Sequence, residues 1–198
     1  MLPLVLDLAR LRAVLIGDGD AVLRRLRLLD EAGAGDLTVY CADPSPELQA
    51  LAAARLQARL PHAADLVDAR IVFLAGLAAG QQREFAALAR QAGALLHAED
   101  AKDLTDFHAP AVLRRGDLTI AISTSGKAPA LAAALKRRLG ELIGPEWRGR
   151  VGELANLRRR WRQRGAAMPA VARAMNAKIE GSFWLAGLRP EPRRTVRR

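Results

Sequence analysis

Gly17-Asp18-Gly19-Asp20-Ala21-Val22 forms a G-x-G-x-x-V turn directly after the apolar run Ala13-Val14-Leu15-Ile16. The first glycine of such a turn permits a tight bend. The second lets backbone N–H groups approach a pyrophosphate over the positive end of the helix that follows. The spacing suits a dinucleotide, and it suits an ordinary tight turn as well. Val22 stands where a third small residue would allow close helix-strand packing, and Asp18 and Asp20 bring acid beside the phosphates unless they face solvent or cap the helix. Asp43, just after Ala42 at the end of the next apolar run, is placed to accept ribose hydroxyls and to repel the extra phosphate of NADP, so the turn predicts NAD. Asp43 also serves as a turn former before Pro44.

The remaining polar residues narrow the chemistry. Cys41 is the only cysteine, which excludes an intrachain disulfide and a cysteine-based metal cage and points to a reducing compartment such as the cytoplasm. His62, His97 and His108 are too scattered to suggest a metal cage, and His108 reads as a packing or hydrogen-bonding residue. The net charge of +10 in 198 residues gathers toward the C-terminus, in Lys136-Arg137-Arg138, Arg158-Arg159-Arg160, Arg162, Arg164 and the terminal arginines. Such a field attracts phosphates, anionic lipid or a substrate with many carboxylates, and it also describes a solvated helix face with a frayed tail. No aromatic-rich basic strand or DNA-reading helix accompanies it, which argues against nucleic acid. No apolar run reaches the roughly 18–20 residues of a membrane span. The opening MLPLVLDLAR is too short and too soon charged for a signal peptide.

The elements that must position these residues alternate. Residues 13–16 read as a strand, 21–32 as a helix, 37–41 as a strand and 47–60 as a helix. Then come a strand at 71–75, a helix at 81–92 and a short strand at 94–97. This rhythm predicts an α/β domain with a parallel sheet and right-handed crossovers. From Ala111 it changes to an antiparallel hairpin, 111–113 and 118–122, and then to helices over 128–142, 145–164 and 169–179. The expected organisation is a nucleotide-binding domain at 1–110, a hairpin and helical domain at 111–185, and a disordered basic tail at 186–198. The later helices exceed what the first sheet needs as cover, so a homodimer built by residues after Ala111 is expected, with Trp147, Trp161 and Trp184 as core or interface anchors.

Three segments carry a more specific likeness: LPLVLDLARLRAVLIGDGDAVLRRLRLLDEAGA, HAEDAKDLTDFHAPAVLRRGDLTIAIST and ISTSGKAPALAAALKRRL. Their order and spacing over about residues 2–145 resemble the precorrin-2 dehydrogenase/sirohydrochlorin ferrochelatase family, the N-terminal module of sirohaem synthase, and Phe183-Trp184 echoes an aromatic pair late in those chains. The resemblance implies a Rossmann-like fold, NAD, and oxidation of a polycarboxylated tetrapyrrole, precorrin-2, to sirohydrochlorin. It also implies Fe²⁺ insertion, with Fe²⁺ a substrate rather than a bound cofactor. A chelatase-only protein and a non-catalytic nucleotide-sensing or nucleic-acid-binding descendant are the alternatives.

By the same resemblance Asp100 is the catalytic residue and a candidate metal contact. Ser123, Thr124, Ser125 and Gly126 bind substrate, with Thr124 facing it. Ala75 and Gly76, followed by Leu77, stand at the nucleotide site where the family has a polar segment. The family's three consecutive glycines are here Gly17-Asp18-Gly19, and its asparagine three residues before the catalytic acid is His97. Oxidation sends a hydride to NAD and releases a proton, which Asp100 takes if burial and the nearby Glu99, Asp103 and Asp106 favour its protonated form. Asp103 and Asp106 otherwise read as a solvated acidic loop.

Overall fold

The computed structural model describes residues 2–186. The terminal segment read as a disordered tail lies outside them, apart from Ala186. The described chain forms two compact units that divide between Ala109 and Pro110.

The first unit is a five-stranded, wholly parallel sheet in the order β3-β2-β1-β4-β5. Its strands are β1 (Ala13–Gly17), β2 (Leu37–Tyr40), β3 (Leu56–Gln57), β4 (Ile71–Ala75) and β5 (Leu95–Ala98). Every residue of β1 and β4 is buried, as a strand covered on both faces requires. Between strands run α1 (Gly19–Glu31), α2 (Pro46–Ala52) and α3 (Ala79–Gln91). α1 turns Val22, Leu23, Leu26 and Leu29 onto the sheet and ends where Gly33 takes a positive φ of 76°. Two apolar layers result, one on each sheet face, led by Leu15, Val39 and Phe73 on one side and Ile16, Leu74 and Phe85 on the other. The α/β class and the parallel sheet expected from the alternating pattern are those observed.

The helix expected over 47–60 is shorter. It stops at Ala52 because Ala53 turns to φ 48°, ψ −125°, after which a 3-10 turn and the two-residue edge strand β3 follow. Arg55 holds this bend by donating to Ala52 O at 3.2 Å and Leu51 O at 2.9 Å and by pairing with Asp30 of α1.

The second unit opens with the hairpin β6 (Ala111–Arg115) and β7 (Leu118–Ile122), followed by α4 (Pro129–Leu142), α5 (Trp147–Gln163) and α6 (Met168–Gly181). Arg115 stitches the hairpin to the C-terminal end of α4. Its guanidinium donates to Gly140 O at 3.0 Å and Ile143 O at 2.8 Å, where helix carbonyls lack intrahelical partners. The three tryptophans are half-buried rather than core residues. Arg150 lies over the rings of Trp147 and Trp184, 4.8 and 5.7 Å from their centroids, so these two act as cation-π partners.

Candidate nucleotide site and catalytic loop

Strand order reverses between β1 and β4. β1 continues to β2 on one side, and the chain later crosses to β4 on the other. The carboxyl ends of strands flanking such a reversal open a crevice in which ligands of open α/β sheets bind. Gly17 and Ala75 pair directly across it. A Cβ on Gly17 would fall 2.4 Å from Ala75 O and 2.9 Å from Val22 Cβ, so this glycine is required by close packing. Val22 is fully buried at the third motif position and fills the space beside Gly17. Gly76, at φ 71°, is equally constrained, since its Cβ would fall 2.3 Å from Asp18 O.

Gly19 differs, because nothing lies within 4 Å of where its Cβ would be. This open ground faces the first turn of α1, the donor end of a thirteen-residue helix. At Gly19 the turn is uncrowded. Its charge is less accommodating, for Asp18 is the N-cap of α1 and its carboxylate accepts the Gly19 N–H at 2.7 Å. Asp20 is exposed, as are Ala42 and Asp43 just beyond β2. Buried Cys41 sits between these acids. Burial pushes its thiol above the ordinary value, opposed by a hydrogen bond with the Asp43 backbone and reinforced by the charges of Asp18 and Asp43.

The end of β5 carries the second group. Asp100 is exposed and sits at φ 62°, a left-handed conformation that aspartate and asparagine tolerate better than most residues. Within its own unit Asp100 lies at the surface of a loop. The loop is built by its neighbours. Thr105 Oγ1 accepts the Ala98 N–H at 3.0 Å, and Asp106 Oδ2 accepts the Leu96 N–H at 2.9 Å. Asp106 is exposed, as read, and in addition fastens the loop to the edge strand β5. Asp103 is exposed, as read.

Beneath Asp100 lies a polar cluster that sequence reading missed. Arg25, buried on the inner face of α1, donates from Nη2 to His97 Nε2 at 3.1 Å and lies 3.9 Å from Glu99. His97 Nδ1 is 3.0 Å from Phe107 O. A carbonyl only accepts and a guanidinium only donates, so His97 is the neutral tautomer with its proton on Nδ1. Burial pushes His97 below its ordinary value, partly offset by the Phe107 carbonyl and aided by the charges of Arg25 and His108. Phe73, His97 and Phe107 surround the cluster, with Phe73 and Phe107 edge-on at 5.6 Å. The signal was present as an arginine among the apolar positions of α1, but no spacing rule connects Arg25 with His97.

In the second unit, Thr124 Oγ1 accepts the Ala128 N–H at 3.1 Å and Ser123 Oγ accepts the Ser125 N–H at 3.2 Å. Ser125 and Gly126 take φ values of 54° and 69°, so the segment wraps the start of α4. Thr124 is half-buried, while Ser123, Ser125 and Gly126 are exposed. Among the described residues no cluster of His, Cys, Asp and Glu could hold a metal ion. No described helix is long and apolar enough to cross a membrane.

The sheet order, the glycine turn at the reversal and the donor end of α1 define a dinucleotide-binding α/β protein. The chain belongs to the NAD(P)-binding family whose model matches residues 4–111, and residues 115–142 match the model described as sirohaem biosynthesis protein central. A siroheme synthase of Methylococcus capsulatus is 34% identical over 166 residues, 82% of this chain and 35% of that protein. This chain thus spans about a third of the length of the siroheme synthases it matches. A precorrin-2 dehydrogenase of Bacillus subtilis is 29% identical over 163 residues, covering 81% of this chain and 99% of that one. Among solved structures, one titled SirC, precorrin-2 dehydrogenase, superposes with a TM-score of 0.75 at 21% identity, over 94% of this chain and 93% of that one, and has the same fold. The family resemblance read from the three sequence segments is borne out.

Proposed function

We propose that this chain oxidises precorrin-2 to sirohydrochlorin with NAD, as a step of sirohaem formation. The observation that carries the reading is the glycine turn at the sheet's reversal point, in a chain that aligns with a named precorrin-2 dehydrogenase over nearly that protein's whole length. NAD, when bound, accepts the hydride from the macrocycle. The N–H groups at the start of α1, over Gly17, Gly19, Asp20, Ala21 and Val22, would hold its diphosphate, and Ala42 and Asp43 would meet the ribose. Ala75 and Gly76 leave backbone, not side chain, against the turn. Asp100 takes the proton released from the tetrapyrrole. Its exposed position at a left-handed bend supports this role, since it leaves the residue at the surface of the loop.

In the second unit Ser123, Thr124, Ser125 and Gly126 would meet substrate, and the basic surface would draw in its carboxylates. A homodimer is part of the same reading, supported by Leu131, Leu135 and Leu142, which α4 leaves exposed. A second reading, insertion of Fe²⁺ without the oxidation, draws on the Asp18 carboxylate already seated on the Gly19 N–H. In it Asp100 accepts pyrrole protons as the ion enters.

An anaerobic absorbance assay separates the two readings. Precorrin-2 with NAD should yield the sirohydrochlorin spectrum together with NADH. Loading of Fe²⁺ into sirohydrochlorin with no turnover of precorrin-2 would instead establish the chelatase alone.

A further inference from the structure

Asp18 occupies the position where the turn's chemistry is decided, and its surroundings allow it little freedom. Its N–H donates to Ala75 O at 3.0 Å and its carbonyl accepts the Val22 N–H at 3.4 Å, so the backbone on both sides is fixed. Gly76 packs against that same carbonyl, where even a methyl group would collide. The side chain spans from the Gly19 N–H, at 2.7 Å, to the Cys41 thiol, which faces the same oxygen at 4.0 Å. It can leave only by rotation about its own side-chain bonds.

The donors at a helix start are few, and each is directed at one acceptor. A carboxylate that takes one of them satisfies the donor and cancels part of the positive end that would attract a phosphate. Nothing lies within 4 Å of a Cβ built on Gly19, so packing at that residue does not keep a phosphate out. Charge and the engaged N–H do.

We propose that Asp18 sets the affinity of this site for dinucleotides: its carboxylate stands in for a phosphate on the Gly19 N–H, and a diphosphate binds only by displacing it. The inference rests on the nucleotide reading above and deepens it. Asp18 acts on the diphosphate common to NAD, NADP and ADP-ribose, whereas any effect of Asp43 is confined to the ribose end. The site accordingly holds its nucleotide weakly and exchanges it readily.

Calorimetric titration of the full chain with NAD, ADP-ribose and adenosine tests this in the unmodified protein, Asp18→Asn and Asp18→Gly. Asn retains an oxygen for the Gly19 N–H and removes the charge, and Gly removes both. NAD and ADP-ribose should tighten by roughly tenfold in Asp18→Asn and further in Asp18→Gly, the size expected for releasing one charge-assisted hydrogen bond. Adenosine, which lacks phosphate, should not respond. The gap between Asp18 and Asn should narrow as salt is added. Asp18→Gly also loses a helix cap, so the free protein should melt no higher than the unmodified one while binding NAD more tightly. A purely structural residue would move both quantities in the same direction.

Equal or weaker NAD binding in both variants overturns the proposal and leaves the nucleotide reading standing. Folded protein that binds no dinucleotide in any of the three forms overturns both.

Discussion

The two units solve the same burial problem in opposite ways. The first, Met1–Ala109, buries two apolar layers around a sheet in which Ala13, Val14, Leu15 and Ile16 are wholly inaccessible. The second buries few residues, chiefly Leu113, Ala132, Ile143 and Val171, and leaves leucines of α4 in water. Charge divides along the same line. The first unit has eleven Lys and Arg against fifteen Asp and Glu, and residues 110–186 have fifteen against five. The net charge of +10 is therefore a property of one region, not of the molecule at large. A self-sufficient acidic frame can hold a reacting centre to fractions of an ångström. A thinly packed basic one is suited to gathering an anionic ligand and to meeting another apolar surface.

The sharpest test of this contrast is Asp100→Asn. Asparagine tolerates the left-handed bend, so the first unit should keep its melting temperature and its nucleotide affinity. Turnover of precorrin-2 should fall by roughly 10²–10⁴-fold, the usual contribution of a positioned acid or base. Unchanged turnover would reduce Asp100 to a loop residue.

Next in size is the α4 face. Replacing Leu131 and Leu135 together with Lys should convert the proposed homodimer to monomer in light scattering while the circular dichroism of the helices persists, because both side chains are already exposed within the chain. An unmodified chain that is monomeric at micromolar concentration would break this half of the comparison.

The same substitution should have opposite signs in the two units. Gly17→Ala drives a methyl group into the Ala75 carbonyl and should lower stability in urea by about 1–3 kcal/mol. Gly152→Ala, inside α5 with nothing within 4 Å of the new Cβ, should raise it by about 0.5–1 kcal/mol. Two losses of similar size would mean that the second unit is as tightly packed as the first.

The smallest effect is a pH slope. His97 is held neutral by burial and by its place between Arg25 and Phe107 O, so the unfolded chain binds its proton more readily than the folded one. Its contribution to stability is complete above the ordinary histidine value of about 6.5 and declines as pH falls from there toward the depressed folded value. Urea midpoints measured from pH 7.5 to 5 should drift downward, and His97→Asn should flatten that drift. An identical slope in the variant would assign it to other groups.

Much of the first unit was legible because buried parallel strands are short, unbroken apolar runs and its helices end at glycine. The extent of α2 was not. Nothing in the Ala-rich stretch 50–54 marks the bend at Ala53, which is held from outside by Arg55 and Asp30. Asp18 was readable only as one of two options, cap or solvent-facing acid, and geometry selects the cap. Arg25, His97 and Glu99 could not be joined in advance, since they lie on different elements and meet only once α1 packs on the sheet. The exposure of Asp106 was legible but its bond to the Leu96 N–H was not, because a carboxylate that fastens a strand edge has the same sequence appearance as one that does not.

Cys41 gives the molecule its own clock. As the only thiol, fully enclosed where β2 ends and adjoining Asp18, it can meet a disulfide reagent only when that part of the sheet opens. The rate at which it is labelled thus reports the opening of the glycine turn, with no dye or substitution introduced. A ligand that seats on the turn and closes it should slow that rate in proportion to its occupancy.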